Sequence, residues 1–142
     1  MRNLNEKLPQ MVIMSAYLDG LSNDENVERH QMLRQELLNN MFYFKEVAGS
    51  YKGHSEKGFA IVVQDTADVL TLQDIADEYA QESVLVLDEE RQAFLFYMDG
   101  KPKELLGLWM AASKLKASEL DAFTYDPSTG AYYIVVPPER EE

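Results

Sequence analysis

The 142-residue chain has no cysteine, which excludes disulfides, thiolate metal sites and a thiol nucleophile. With only two histidines, a dedicated zinc site would have to lean on carboxylates, and no metal is expected. No apolar run approaches the roughly 18–20 residues of a membrane-crossing helix. Met1 to Gln10 is mixed polar and lacks the apolar centre of a signal peptide. Cations are scarce: 13 Lys and Arg stand against 25 Asp and Glu, a formal charge of −12 at pH 7. Phosphate backbones and anionic membrane surfaces attract clustered cations, so neither nucleic acid nor membrane is expected as a partner. A cationic small molecule, a basic protein or mimicry of nucleic acid fits this charge, and so does simple solubility. The sequence also lacks GxGxxG, GxxxxGK, GxSxG and HExxH, so no cofactor is implied. A reducing, cytoplasmic compartment is the simplest home.

What is present suffices for one folded domain over residues 1–142, with 1–10 and 137–142 expected as loose ends. Hydrophobic residues make up 46% and aromatic residues 11%, enough bulk for a core. Met11 to Leu18 reads as a buried strand closed by an Asp19-Gly20 turn. Ser22 to Glu25 has the spacing of a capping box, and Asn26, His30, Leu33, Leu37 and Met41 recur at helical spacing through Asn40. His30, on the inner stripe, is expected as a hydrogen-bonded core histidine. Phe42 to Ser50 and Gly58 to Gln64 read as strands around a polar loop, Tyr51 to Lys57. A second helix opens at Thr71 and ends near Gln81-Glu82. Ser83 to Leu87 is a strand that continues into a hairpin with Gln92 to Met98. Lys103 to Leu120 has helical stretches around Leu105, Trp109 and Leu115, and Ala122 to Val136 forms a last hairpin.

This order predicts a ferredoxin-like α+β two-layer sandwich, an antiparallel sheet with two main helices and a C-terminal hairpin extension. Two helices would cover one face of that sheet. Val12 to Tyr17 and Phe59 to Val63 lack clean polar alternation, so the other face also needs a cover, and a second subunit is a simple one.

Two polar clusters interrupt the apolar pattern. Tyr51 and Glu56 lie in a loop flanked by Gly49, Gly53 and Gly58, where backbone can turn tightly and approach a ligand. Gln81-Glu82 sits where the second helix meets a buried strand. On spacing alone, a solvated hairpin tip and a solvated helix end are the favoured accounts of them.

The stretch Ile13-Met14-Ser15-Ala16-Tyr17 resembles the opening strand of the phage S-adenosylmethionine lyases, formerly called S-adenosylmethionine hydrolases. Asp24-Glu25-Asn26-x-x-Arg29-His30 is similar to the start of that family's first helix. The likeness continues through Gly49-Ser50-Tyr51, Glu56-Lys57, Gln81-Glu82-Ser83-Val84-Leu85-Val86 and Phe123-Thr124-Tyr125-Asp126. It thus runs in order along nearly the whole chain.

The resemblance implies a small PII-like α/β sandwich assembled as a homotrimer with ligand sites between subunits, in the cytoplasm of a host cell if phage-encoded. Such an enzyme would degrade S-adenosylmethionine to 5′-methylthioadenosine and homoserine lactone, deplete the methyl donor and counter restriction. It carries over Glu56 as the key acidic residue and Tyr51 as its companion, both catalytic, with Glu82, Gln81 and Ser15 as substrate-binding positions. The substrate carries its own nucleophile and leaving group, so the missing motifs are no obstacle. Adenine would rest on apolar or aromatic side chains. Two other functions fit the residues: a PII-like module that binds a nucleotide without chemistry, and an acidic anti-restriction protein that mimics DNA.

Overall fold

The computed structural model describes residues 8–138. The chain ends expected as loose, 1–10 and 137–142, lie outside the described residues except for 8–10 and 137–138. Strand β1 (Gln10–Met14) is shorter than its apolar run, because side chains take over the backbone groups from Ser15 onward. The Ser15 hydroxyl donates to the Lys57 carbonyl at 2.7 Å and accepts from the Tyr17 N–H at 3.0 Å. Asn26 clamps both backbone groups of Leu18, accepting at 2.9 Å and donating at 3.1 Å.

Helix α1 (Asn23–Asn39) starts at the expected capping box, in which Ser22 and Glu25 each bond the other's backbone N–H. Its inner stripe is Asn26, His30, Leu33 and Leu37. His30 is a core residue as expected: its Nε2 lies 2.9 Å from Glu46 Oε1 and its ring stacks on Phe59 at 4.3 Å.

Strands β2 (Tyr43–Tyr51) and β3 (His54–Val63) run through most of the segment expected as a loop. Lys52 and Gly53, both in the left-handed region (φ 49° and 82°), make a two-residue turn whose twist matches the strands it joins. Tyr51 and Glu56 are therefore strand residues. Helix α2 (Thr66–Glu78) begins earlier than Thr71. Asp65 accepts from the Asp68 N–H at 3.0 Å and Asp68 accepts from the Gln64 N–H at 2.9 Å, so two carboxylates secure the helix start without a hydroxyl.

Strands β4 (Ser83–Leu87) and β5 (Gln92–Tyr97) form the expected hairpin. The following segment departs from expectation: Glu104–Ala112 is strand β6, and only Lys114–Ser118 is helical, as α3. Leu105 and Trp109 satisfy a helical period, but Gly107 adopts φ 144° and the segment is paired on both sides. A Cβ on Gly107 would lie 2.0 Å from the Val136 carbonyl oxygen, so only glycine lets β6 pass there. Strands β7 (Ala122–Asp126) and β8 (Ala131–Val136) close the chain as a hairpin.

Among the described residues the strands join in the order β1-β3-β2-β7-β8-β6-β5-β4, a closed antiparallel barrel of eight strands accompanied by three helices. This corrects the two-layer ferredoxin-like sandwich. The run β4-β1-β3-β2 does not end in two edges; β5, β6, β8 and β7 bridge them, with Ser50 paired to Phe123 on one seam and Val84 to Phe96 on the other. Each of these strands thus has a neighbour on both sides, and among the described residues the sheet has no free edge strand. Closure also covers the face for which a second subunit was invoked. The outward positions Val12, Phe59, Ile61, Val84 and Val86 pack under Leu33, Leu37, Leu72 and Ile75 of α1 and α2, forming the main core. Their inward neighbours face the rest of the barrel wall. Among the described residues, no helix is long and apolar enough to cross a membrane.

Candidate active site in the barrel

An eight-stranded barrel has an interior just wide enough for side chains or one small ligand. Here Gly49, Gly58, Ala60, Ala111 and Thr124 occupy lining positions and leave space unfilled. Three adjoining hollows result, of about 520, 830 and 460 Å³. Sites for small molecules span roughly 300–1,000 Å³. The first hollow opens where β1 leaves the barrel, the second lies along β2, β7 and β8, and the third reaches the far end by Lys45 and Asp126.

All five residues singled out from the sequence reach the same end of the barrel. Glu56 and Glu82 line the first and second hollows together, Ser15 and Gln81 line the first, and Tyr51 lines the second. Glu56 pairs in register with Gly49, and Tyr51 with His54, so both side chains point inward from neighbouring strands. Tyr51 stands at the rim, 59% exposed, with Lys52 Nζ 5.3 Å from its ring centroid. Burial, and then the charge of Asp19, push the Glu56 carboxyl above the ordinary carboxylate range. Such a group gains from any cation brought to it. Asp19 also lines both hollows, so three carboxylates gather at one mouth. Among the described residues no group of three His, Asp or Glu is close enough to hold a metal ion.

Ser15 and Gln81 are committed to backbone. Gln81 Nε2 donates to the Tyr17 carbonyl at 3.0 Å and to the Tyr79 carbonyl at 3.3 Å. Arg29 adds a third tie, donating through Nε to the Ala16 carbonyl at 2.7 Å and through Nη2 to the Tyr79 carbonyl. Ser15, Asn26, Arg29 and Gln81 together pin the irregular stretch Ser15 to Leu18 from four directions, and that stretch forms one lip of the mouth.

Sequence reasoning missed Asp19, read only as a turn residue, and Trp109, read as helical. Trp109 and Tyr133 point inward and stack, with centroids 5.2 Å apart and planes 15° from parallel. Pairing Trp109 with the strand alternation Leu108, Met110 outward and Ala111 inward would have been the signal for it. At the far end Asp126, 1% exposed, pairs with Lys45 at 2.5 Å and accepts from the Ser128 hydroxyl at 2.6 Å. Burial alone would raise this carboxyl, but those partners outweigh it and hold it at about 2.

The arrangement offers a polar, anionic mouth, a rigid lip and an apolar, aromatic interior. It suits a ligand with a cationic end and a flat, uncharged end. Compared with known protein families, residues 12–136 match the model described as the S-Adenosylmethionine lyase family. No curated protein gives a significant match.

Proposed function

The chain belongs to the S-adenosylmethionine lyase family and is an S-adenosylmethionine lyase, and from that premise we propose that it makes 5′-methylthioadenosine and L-homoserine lactone by cyclising the substrate on itself. An oxygen of the substrate's own α-carboxylate attacks its γ-carbon. The bond from that carbon to sulfur breaks, its electron pair stays on sulfur, and the neutral thioether departs. No proton moves in this step and no water is consumed. The observation that carries the reading is the gathering of Glu56, Asp19 and Glu82 at the mouth of a hollow with an apolar interior.

Glu56 holds the α-ammonium, which leaves the adjacent carboxylate free to bend towards carbon. A carboxylate set against the sulfonium would instead stabilise the starting charge and slow its loss. Tyr51, two pairs nearer the hairpin tip, hydrogen-bonds the substrate or steadies Glu56, and Glu82 adds attraction for the cationic end. The framed lip, with Ser15 and Gln81 in it, keeps the methionine moiety in a near-attack shape. Such orientation supplies at best roughly 7–11 kcal/mol of barrier reduction. Carboxylate and sulfonium neutralise each other as the ring closes, so a water-poor interior favours the transition state over the separated ions.

The reading takes the whole chain as one lyase domain acting in the cytoplasm, where consuming the methyl donor would also disarm restriction systems that need it. It includes a homotrimer with the sites at subunit junctions. Leu105, Leu108, Met110 and Val136, all exposed on the outer wall, support a further copy there, since contiguous apolar surface marks interaction sites. Light scattering on a sizing column reads the assembly directly.

Incubating the pure protein with S-adenosylmethionine and following products by mass spectrometry tests the chemistry. Methylthioadenosine with early homoserine lactone is expected. Homoserine with no preceding lactone would replace cyclisation by hydrolysis, and no methylthioadenosine at all would overturn the reading.

A further inference from the structure

Trp109 is the sole tryptophan of the chain, and it points into the barrel rather than into a packed core. Its strand is fixed on both sides: Trp109 is level with Val135 of β8, and its backbone N–H donates to the Arg91 carbonyl at 2.8 Å. Tyr133 is the diagonal neighbour on the same inner face, paired with Ala111. The near-parallel stack of the two rings stands in the wall of the hollow that holds Glu56, and it borders the far hollow as well. Two large π-faces therefore border unfilled space, where an ordinary core would bury them against aliphatic side chains.

We propose that the Trp109–Tyr133 stack is the subsite for the purine of the substrate. The proposal rests on the reading of this hollow as the lyase site and adds the direction in which the substrate lies: nucleoside inward on the rings, methionine moiety outward at Glu56. A purine is flat, uncharged and polarisable, and stacks on aromatic side chains whatever its substituents. The acidic mouth has no use for such a group, while the ammonium gains there. The stacked geometry also argues against the rings reading the sulfonium. Cages for onium groups present several ring faces around one cation, whereas rings 15° from parallel present a slab. A sulfonium held on that slab would moreover be stabilised before reaction, which opposes cyclisation. Thr124, which lines all three hollows beside the rings, supplies a hydroxyl for the purine edge.

Because there is one tryptophan, its emission reports this subsite alone. Titrating the wild-type protein with adenosine, a purine without charge, should quench Trp109 saturably. S-methylmethionine, a sulfonium without a purine, should leave the emission unchanged. The reverse pattern would assign the rings to the sulfonium and overturn the proposal. Turnover of S-adenosylmethionine with no quenching by adenosine at saturating concentration would overturn it too, while leaving the lyase reading intact. In steady-state assays Trp109→Leu should raise KM about tenfold or more, with kcat falling by less, as expected for a lost stacking platform. Trp109→Phe, which restores a flat ring, should recover most of that loss. A Leu variant that folds with unchanged KM would contradict the proposal.

Discussion

Replacing Glu56 by Gln keeps the size and shape of the side chain and removes only its charge. In the folded chain that charge is unwelcome: burial and Asp19 both raise the Glu56 carboxyl above its ordinary range. A raised carboxylate pKa means that the folded state binds the proton more tightly than the unfolded state. Stability from this group therefore falls as pH rises from the ordinary value through the raised one. Glu56→Gln should accordingly melt at the same temperature as wild type or slightly higher at neutral pH. Activity should move the other way. A hydrogen bond to a charged group is worth about 1.5–3 kcal/mol. If Glu56 carries the α-ammonium, its loss costs roughly 10- to 150-fold in kcat/KM, at about 1.36 kcal/mol per factor of ten. The acid limb of the wild-type kcat/KM profile, which reports the free enzyme, should lie above the ordinary carboxylate pKa and vanish in the variant. The assay is methylthioadenosine formation against pH, with thermal melts on the same samples. A variant that folds and keeps kcat/KM within about twofold would refute the assigned role.

Further consequences follow from other contacts. Asp126→Asn should lose about 2 kcal/mol in urea unfolding at neutral pH, because its carboxyl is held at about 2 against an ordinary 3.8. That advantage exists above the ordinary value and disappears as pH falls through about 2, so the two proteins should converge in acid; a constant gap would deny the Lys45 pairing. Gly107→Ala should lose more than about 3 kcal/mol or fail to fold, since its Cβ meets the Val136 carbonyl at 2.0 Å; an unchanged melting temperature would contradict the β6–β8 seam. Gln81→Ala frees the Tyr17 carbonyl, while Arg29 still holds that of Tyr79, and should cost about 1 kcal/mol of stability, with a lower kcat from the loosened lip; unaltered kinetics would show that the frame does not govern the chemistry.

The local elements were largely legible in the residues. The Ser22–Glu25 box and the Asn26, His30, Leu33, Leu37 stripe mark α1 directly, and the SVLVL run marks β4. What failed was the step from elements to closure. Leu105 and Trp109 fit a helix of period 3.6 as well as a strand whose alternation is displaced by the register shift between Ala93 and Phe94. Only pairing with β5 and β8 decides between them, and such pairing is not written in β6 alone. With β6 taken as helical, nothing joined the β4–β5 hairpin to the β7–β8 hairpin, and an open sheet was the natural conclusion. The apolar character of both sheet faces was read correctly as a demand for cover on each side, but the cover comes from the chain itself.

The site was legible to a different degree. Five positions chosen from short motifs converge on one end of the barrel although they come from β2, β3, the exit of β1 and the approach to β4. Ser15 and Gln81 are spent on Lys57, Tyr17 and Tyr79 carbonyls, a use that no spacing rule reveals. Asp19 stands beside Glu56 through tertiary placement only, as its influence on that carboxyl indicates. Trp109, and with it the stack on Tyr133, was hidden by the same misreading that hid the barrel.

Turnover in water enriched with oxygen-18 bears most directly on whether the substrate cyclises on itself. The account expects homoserine lactone to form first and without label, because its ring oxygen comes from the substrate carboxylate. Label should enter only later, in the carboxyl group, as water opens the ring. Homoserine carrying the label in its hydroxyl from the earliest time points would mean that water attacked the γ-carbon, and would contradict the account.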